Sequence, residues 1–216
     1  MSKTVTPKII GISGKMGSGK DTVGSILQVL SAAGYQDSED IAKIVANPFL
    51  MLNTKFTKFN DWKVKKYAKK LKQIASILTG IPEEKFEDQE FKLTNLDPCW
   101  NSNGQPMTVR TLLQKIGTEC MRDNLHNSTW ANALFADWNK SENWIVTDVR
   151  FPNEAIEIVK RGGIIVRVDR NINTGNHPSE TGLDDFAFDY VIPNKKTLED
   201  LIKEVKKFAI LYGIVR

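Results

Sequence analysis

A glycine-rich turn between a short apolar run and an amphipathic helix constrains this chain more than any other stretch. The apolar run, residues 9–12, is followed by Gly14, four intervening residues, Gly19 and Lys20. A strand, a glycine loop and a helix start in this order are typical of a phosphate-binding P-loop. Glycine lets the backbone approach a phosphate closely, while successive N–H groups and the helix N-terminus favour an anion. The stretch therefore predicts an anion-binding turn.

Seven residues of this turn are candidates for binding a nucleotide: Gly14, Gly17, Ser18, Gly19, Lys20, Asp21 and Thr22. Lys20 supplies a compact, mobile ammonium, which suits the β- and γ-phosphate oxygens better than a planar guanidinium. Asp21 stands where the motif usually has the Ser or Thr that ligates Mg²⁺. Thr22 cannot simply take over that role, because consecutive helical positions lie about 100° apart. We expect Asp21 to hold Mg²⁺ directly or through water, with Thr22 as the second candidate; the alternative is an ordinary turn without a ligand.

Composition limits the classes of protein that the chain can form. With 216 residues, 41% of them hydrophobic and 26% charged, it predicts one globular α/β domain. A net charge of +4 suits an anionic small substrate but is too weak to favour a nucleic-acid partner. The two cysteines, Cys99 and Cys120, form no Cys-x-x-Cys pair, and no stretch has the length or apolarity of a leader or a membrane span. We therefore expect a cytoplasmic protein with reduced thiols and no membrane partner.

Strand and helix patterns alternate along the chain. They predict a three-layer P-loop NTPase fold with a mainly parallel sheet, its core at about 8–34 and 106–216. The helix after the glycine turn is predicted to end at Gly34. Residues 35–105 form a predicted helical insertion over the nucleotide site, with turns at residues 53–60. Six lysines lie between residues 63 and 72. They are interpreted either as a solvated surface or, for Lys70 in particular, as contacts to the phosphate of an acceptor.

A helix capped by Thr108 carries the next candidates on its polar face. Arg110, Gly117 and Thr118 lie there, and Gly117 costs about 1 kcal/mol relative to alanine in a helix interior. Either a ligand or a packed neighbouring helix that approaches the backbone closely explains the glycine. Trp130, on the following helix, is either a base-stacking residue or part of the core.

A buried-type strand at residues 143–148 ends in Asp148. Because ligands of open parallel sheets lie beyond the carboxyl ends of strands, Asp148 is a candidate for Mg²⁺ or a substrate hydroxyl. Arg150 and Glu154 follow, although Glu154 also suits a helix N-terminus. The polar loop at residues 169–185 contains Arg170, His177, Ser179 and Glu180 and is the predicted lid.

Six sequence elements, taken in order, resemble the bacteriophage-type deoxynucleoside monophosphate kinases. They are Gly-Ser-Gly-Lys-Asp-Thr (17–22), Glu-Asp-Gln-Glu-Phe-Lys (87–92), Arg-x-Leu-Leu-Gln-x-Ile-Gly-Thr-Glu (110–119), Trp130, Thr-Asp-Val-Arg-Phe-Pro-Asn-Glu-Ala (147–155) and His-Pro-Ser-Glu (177–180). The aspartate after the P-loop lysine belongs to that family pattern. The chain departs from it in having Met16-Gly17 where some relatives carry basic residues, and Ala68-Lys-Lys-Leu-Lys72 in place of Ala-Asp-Pro-Leu-Lys.

The resemblance implies transfer of the γ-phosphoryl group of ATP to a deoxynucleoside 5′-monophosphate, with Mg²⁺, in deoxynucleotide biosynthesis. It implies that nucleotides, mostly the acceptor, are bound by Arg110, Gly117, Thr118, Trp130, Asp148, Arg150 and Glu154. For catalysis we expect Lys20 to hold the donor, Asp148 to orient the acceptor, and Arg150, Arg122 or Arg170 to neutralise the transferring group. The resemblance also suggests a homodimer and, for a phage-encoded chain, the host cytoplasm. Two alternatives stay open: a small-molecule kinase of the dephospho-coenzyme A or phosphomevalonate type, and a non-catalytic nucleotide-binding module.

Overall fold

A parallel β-sheet organises the computed structural model, which describes residues 6–32, 37–47, 50, 62–172 and 178–215. Within these residues the sheet has five strands in the order β2-β3-β1-β4-β5. The strands are β1 (Ile9–Ser13), β2 (Trp62–Lys65), β3 (Asn143–Val149), β4 (Ile164–Asp169) and β5 (Tyr190–Pro193). The central strands are rich in β-branched residues, and β1 is buried along its whole length, as expected for a strand covered on both faces.

The register places the carboxyl ends of three strands side by side. Ser13, at the end of β1, pairs with Val149 of β3 and with Arg167 of β4. All of these pairings are parallel, so the residues that follow β1, β3 and β4 emerge at the same edge of the sheet. The glycine turn after β1 and the polar residues at the end of β3 therefore share one edge, as the sequence predicted.

Helices make up most of the remaining described chain. They are α1 (Lys20–Ser31), α2 (Ser38–Ala46), α3 (Ala68–Thr79), α4 (Val109–Gln114), α5 (Thr129–Phe135), α6 (Pro152–Lys160), α7 (Pro178–Thr181) and α8 (Leu198–Leu211). A π-helix, Lys115–Asp123, continues α4, and short 3₁₀ helices lie at Glu83–Glu87, Phe91–Leu93 and Pro98–Trp100. The charged stretch at residues 82–92 thus consists largely of 3₁₀ turns.

Alternate residues of β1 face two different layers of helix. Ile10 and Ile12 belong to the core that α1, α2 and α8 share with the sheet. Gly11 faces the opposite side, where a Cβ would lie 2.7 Å from Ile158 of α6. Helices therefore cover both faces of an all-parallel sheet, which confirms the predicted α/β class and its three layers.

The chain divides into two compact units. One unit contains residues 1–66 and 138–216 and includes the sheet; the other contains residues 67–137. The second unit has its own apolar cluster, formed by Ala75, Phe86, Leu96, Val109, Leu112 and Ile116. In this division α2 packs in the core of the first unit, whereas α4 and α5 belong to the second. The insertion expected at 35–105 stays a prediction.

The helix after Thr108 changes type part-way along. Cys120 is exposed, because the change from α- to π-helix at Lys115 alters the helical period. Gly34, residues 53–60 and His177 lie outside the described residues. Among the described helices, none combines the length and the apolar character that crossing a membrane requires.

Candidate functional site

The glycine turn joins β1 to α1 in the predicted manner. Gly17 and Gly19 have φ values of 76° and 96°, in the left-handed region that favours glycine. The Ser18 N–H closes the turn by donating to the Lys15 carbonyl oxygen at 3.1 Å. Gly19 is the N-cap of α1, so the unpaired N–H groups of the first helical turn begin directly beyond the loop. The geometry suits an anion.

Lys20 lies over this turn. Its Nζ donates to the carbonyl oxygens of Gly14 at 2.7 Å and Lys15 at 2.8 Å. The pKa of Lys20 is lowered to about 8, mainly by burial and then by the charge of Arg150, while nearby carboxylates oppose the shift. Asp148 is among these carboxylates. The structure thus brings Lys20, Asp148 and Arg150 within electrostatic range of one another.

Asp21 connects α1 to β3. Its Oδ1 accepts hydrogen bonds from Thr147 Oγ1 at 2.7 Å and from Lys66 Nζ at 2.9 Å. Burial would raise the pKa of Asp21, but the hydrogen bonds from Lys66 and Thr147 outweigh it and the pKa is lowered. The carboxylate is therefore anionic at neutral pH, as a Mg²⁺ ligand must be, yet it already has an ammonium neighbour. The metal role of Asp21 and Thr22 stays a prediction.

The turn after β3 depends on Glu154. One carboxylate oxygen, Oε2, accepts the backbone N–H groups of Arg150 at 2.8 Å and Phe151 at 3.1 Å. Glu154 is only 3% exposed, so its contacts shape the start of α6. This arrangement supports the interpretation of Glu154 as a helix N-terminal residue; its binding of substrate stays a prediction.

Glu180 joins the turn after β3 to the P-loop. Its Oε1 accepts from Arg150 Nη1 at 2.9 Å, and its Oε2 accepts the Met16 N–H at 2.6 Å. Lys15 fixes the same segment by donating to the Glu180 carbonyl oxygen and to Asp184, both at 2.7 Å. A P-loop N–H and an arginine are groups that commonly bind phosphate oxygens, and here one carboxylate engages both. The sequence placed Glu180 only in the lid loop and gave it no role in the site.

Arg170 also reaches the loop. Its Nη1 donates to the Gly17 carbonyl oxygen at 3.2 Å. A cavity of about 110 Å³ lies beside this contact and is lined in part by Ser18, Arg167 and Asp169. The buried Ser18 Oγ has no hydrogen-bond partner within the described part of the chain. A basic, partly polar cavity next to the loop supports the assignment of Arg170 to the donor side.

The remaining candidates lie in the unit formed by residues 67–137. Arg110 is in α4, Gly117, Thr118 and Arg122 are in the π-helix, Trp130 is in α5 and Lys70 is in α3. The Arg110 Nε is buried and, within the described residues, has no hydrogen-bond partner. Lys70 pairs with Asp137 at 2.8 Å. The binding roles of these six residues stay predictions.

Gly117 and Trp130 are packed against protein groups. A Cβ on Gly117 would lie 3.3 Å from Leu71 Cδ2, so a neighbouring helix approaches the glycine closely. Trp130 is 6% exposed, and its indole N–H donates to the Gly117 carbonyl oxygen at 2.8 Å. These contacts favour the core interpretation of Trp130 over base stacking.

We expect Trp130→Ala to destabilise the protein by about 3–5 kcal/mol, because it opens a cavity and removes the bond to Gly117. Trp130→Phe keeps most of the volume, so its effect should be about 1 kcal/mol. Urea unfolding measures both, with the exposed Thr118→Ala as the control. Unchanged stability together with a raised KM for the acceptor would instead indicate that Trp130 stacks on a base.

The parallel sheet and the lysine-bearing glycine turn define a P-loop-type α/β protein. A family profile described as deoxynucleotide monophosphate kinase matches residues 63–205. The chain belongs to the deoxynucleotide monophosphate kinase family, a class of phosphotransferases. It is also 28% identical, over 91% of its length and 93% of the relative's, to a protein of Acanthamoeba polyphaga mimivirus named "Putative deoxynucleotide monophosphate kinase".

Proposed function

We propose that this protein transfers the γ-phosphoryl group of ATP to a deoxynucleoside 5′-monophosphate, giving ADP and a deoxynucleoside diphosphate. The observation that carries the proposal is the concentration of anion-binding groups at the carboxyl edge of the sheet. The glycine turn, Lys20 and Arg150 all lie there. Membership of the kinase family supports the choice of a phosphotransferase over other uses of such a site.

The chemistry asks the protein mainly to position and neutralise phosphates. In the loose transition state of phosphoryl transfer, charge spreads over the equatorial oxygens of the transferred group. The loop N–H groups and the Lys20 ammonium would hold the β- and γ-phosphates, with Arg170 close to the loop. Arg150 would neutralise the transferred group, and Asp148 would orient the acceptor. An oxygen of the acceptor phosphate attacks, so no nucleophilic side chain is needed.

A magnesium ion fits this proposal, with Asp21 and Asp148, two of the carboxylates whose charge acts on Lys20, and Thr22 as a further oxygen. Proteins usually hold Mg²⁺ of this kind with one or two carboxylates, water and substrate phosphates. When bound, the ion would neutralise part of the phosphate charge. Because Lys66 already pairs with Asp21, we expect that carboxylate to act through water. The described residues contain no cluster of three His, Cys, Asp or Glu side chains that would bind a metal without phosphates.

The deciding experiment measures ADP release by the purified protein across the four common deoxynucleoside monophosphates and their ribonucleotide counterparts. We expect ADP release that depends on at least one deoxynucleoside monophosphate and forms its diphosphate. Activity confined to a non-nucleotide acceptor, such as dephospho-coenzyme A or phosphomevalonate, would refute the proposal. ATP binding without acceptor-dependent ADP release would indicate a nucleotide-binding module.

The lowered pKa of Lys20 predicts that the free protein captures ATP less efficiently at alkaline pH. Below pH 8 the ammonium is present, and above about pH 8 the free protein loses it, so kcat/KM for ATP should fall as the pH rises. A bound triphosphate stabilises the ammonium, so kcat at saturating ATP should hold to a higher pH. Profiles of both constants between pH 6 and about 10 test this. A kcat/KM that stays flat through pH 9 would contradict it.

A further inference from the structure

The loop between β5 and α8 contacts the P-loop through Asn194. The Asn194 Nδ2 donates to the Ser18 carbonyl oxygen at 2.8 Å. Because a carbonyl oxygen only accepts, the amide nitrogen must be the atom that faces it. The backbone N–H of Asn194 donates in turn to the Asp169 carbonyl oxygen at 2.7 Å. Asn194 is therefore anchored to the end of β4, and from there it holds the phosphate-binding turn.

This contact determines the direction of a loop N–H. The Ser18 carbonyl and the Gly19 N–H belong to one planar peptide unit, and none of the described peptide bonds is cis. In a trans peptide the C=O and N–H point to opposite sides. Asn194 binds the carbonyl on one side, so the Gly19 N–H points away from Asn194. Gly19 is the N-cap of α1, where a backbone N–H has no partner within the helix.

Gly19 and Asn194 are also packed so closely that a side chain at position 19 would displace the Asn194 amide. A Cβ there would lie 2.6 Å from the Asn194 Nδ2. The φ of 96° independently disfavours a side chain. The second glycine of the motif thus accommodates the asparagine as well as the bend of the loop.

We propose that Asn194 is a positioning residue of the phosphate-binding loop, whose side-chain amide holds the Ser18–Gly19 peptide so that the Gly19 N–H is presented to a donor phosphate oxygen. The inference rests on the proposed function. Without the amide, rotation of this peptide turns the Ser18 carbonyl toward the phosphates, where it repels them. Glycine at position 19 makes that rotation easy, so the loop needs an external restraint.

The test is the affinity of the full chain for ATP and for inorganic tripolyphosphate, measured by titration calorimetry. Asn194→Ala should lower the affinity for ATP and the affinity for tripolyphosphate by about tenfold each, because the loss of one hydrogen bond typically has an effect of this size. Asn194→Asp keeps the shape of the side chain but replaces the donor by an acceptor, so its loss should be larger. The matched control is Asn139→Asp, which makes the same charge change in the turn before β3, at the amino-terminal edge of the sheet. We expect less than a twofold effect there.

Two further readouts separate positioning from loss of structure. Steady-state kinetics of Asn194→Ala should show a raised KM for ATP with an unchanged KM for the acceptor. In ¹⁵N–¹H spectra, tripolyphosphate should shift the Gly19 amide strongly in the wild-type protein and weakly in the variant. A folded Asn194 variant with wild-type affinity for tripolyphosphate would overturn the inference, while deoxynucleotide phosphorylation by the wild type would leave the proposed function standing. A wild-type protein that binds neither ATP nor tripolyphosphate would overturn both.

Discussion

Lys20→Met is expected to lower kcat for deoxynucleoside monophosphate phosphorylation by about 10²–10³-fold, the usual cost of removing a charged group that stabilises a transition state. The Lys20 Nζ lies within 2.8 Å of the loop carbonyl oxygens, close to where the donor phosphates would bind. Lys20→Arg should fail to restore the rate, because a planar guanidinium does not fit the place of a compact ammonium. Single-turnover measurements with saturating ATP separate the transfer step from donor binding.

The same substitution should leave the fold intact. The pKa of Lys20 is lowered in the folded protein, mainly by burial, so at pH 7 its ammonium is less favourable there than in the unfolded chain. We therefore expect the melting temperature of Lys20→Met to be unchanged or higher. Lys160→Met, which removes an exposed lysine paired with Glu157 on α6, is the control for losing one positive charge. Wild-type kcat in Lys20→Met would refute the role of this lysine.

Arg150→Lys is expected to lower kcat by about 10²-fold while changing KM for ATP little. Arg150 follows β3 directly, and its guanidinium reaches Glu180 at 2.9 Å beside the Met16 N–H. A lysine keeps the charge but lacks the planar array of donors that can contact two phosphate oxygens at once. The loss should therefore appear in the rate of transfer. Kinetics with each substrate varied in turn would measure it.

The matched control is Arg161→Lys. Arg161 is the C-cap of α6 and pairs with a glutamate, Glu157, as Arg150 pairs with Glu180. We expect Arg161→Lys to retain the wild-type rate, because Arg161 lies at the opposite end of α6 from the turn after β3. Equal rates for the two variants would show that Arg150 is only a structural arginine.

The fold class could be predicted because it depends on local sequence patterns. Apolar runs alternate with amphipathic helices, and the all-parallel three-layer structure follows from that alternation. Residues 8–22 predicted the strand, the turn and the helix that the structure contains, since positive φ at Gly17 and Gly19 is a local requirement. The cap at Thr108 and the position of Glu154 at a helix N-terminus were likewise visible in sequence.

Packing partners were much harder to predict, because a polar side chain gives no local sign of what it will contact. The sequence left open whether Gly117 meets a ligand or a neighbouring helix, and the structure places Leu71 against it. It also offered no sign of the π-helix that begins at Lys115, which exposes Cys120. Helical periodicity predicts one face only as long as the period stays constant.

By itself, the sequence determined the architecture, the glycine-rich turn and the family. Only the tertiary structure decided which distant residues hold that turn and the start of α1. Three hydrogen bonds do so, and they join Thr147 to Asp21, Glu180 to Met16 and Asn194 to Ser18. The bonded residues lie 126, 164 and 176 positions apart in the chain, respectively. The physical reason is that backbone conformation depends on near neighbours, whereas a hydrogen bond between distant residues exists only once the sheet has brought strand ends together. Parallel pairing of β1 with β3 and β4 makes these contacts possible.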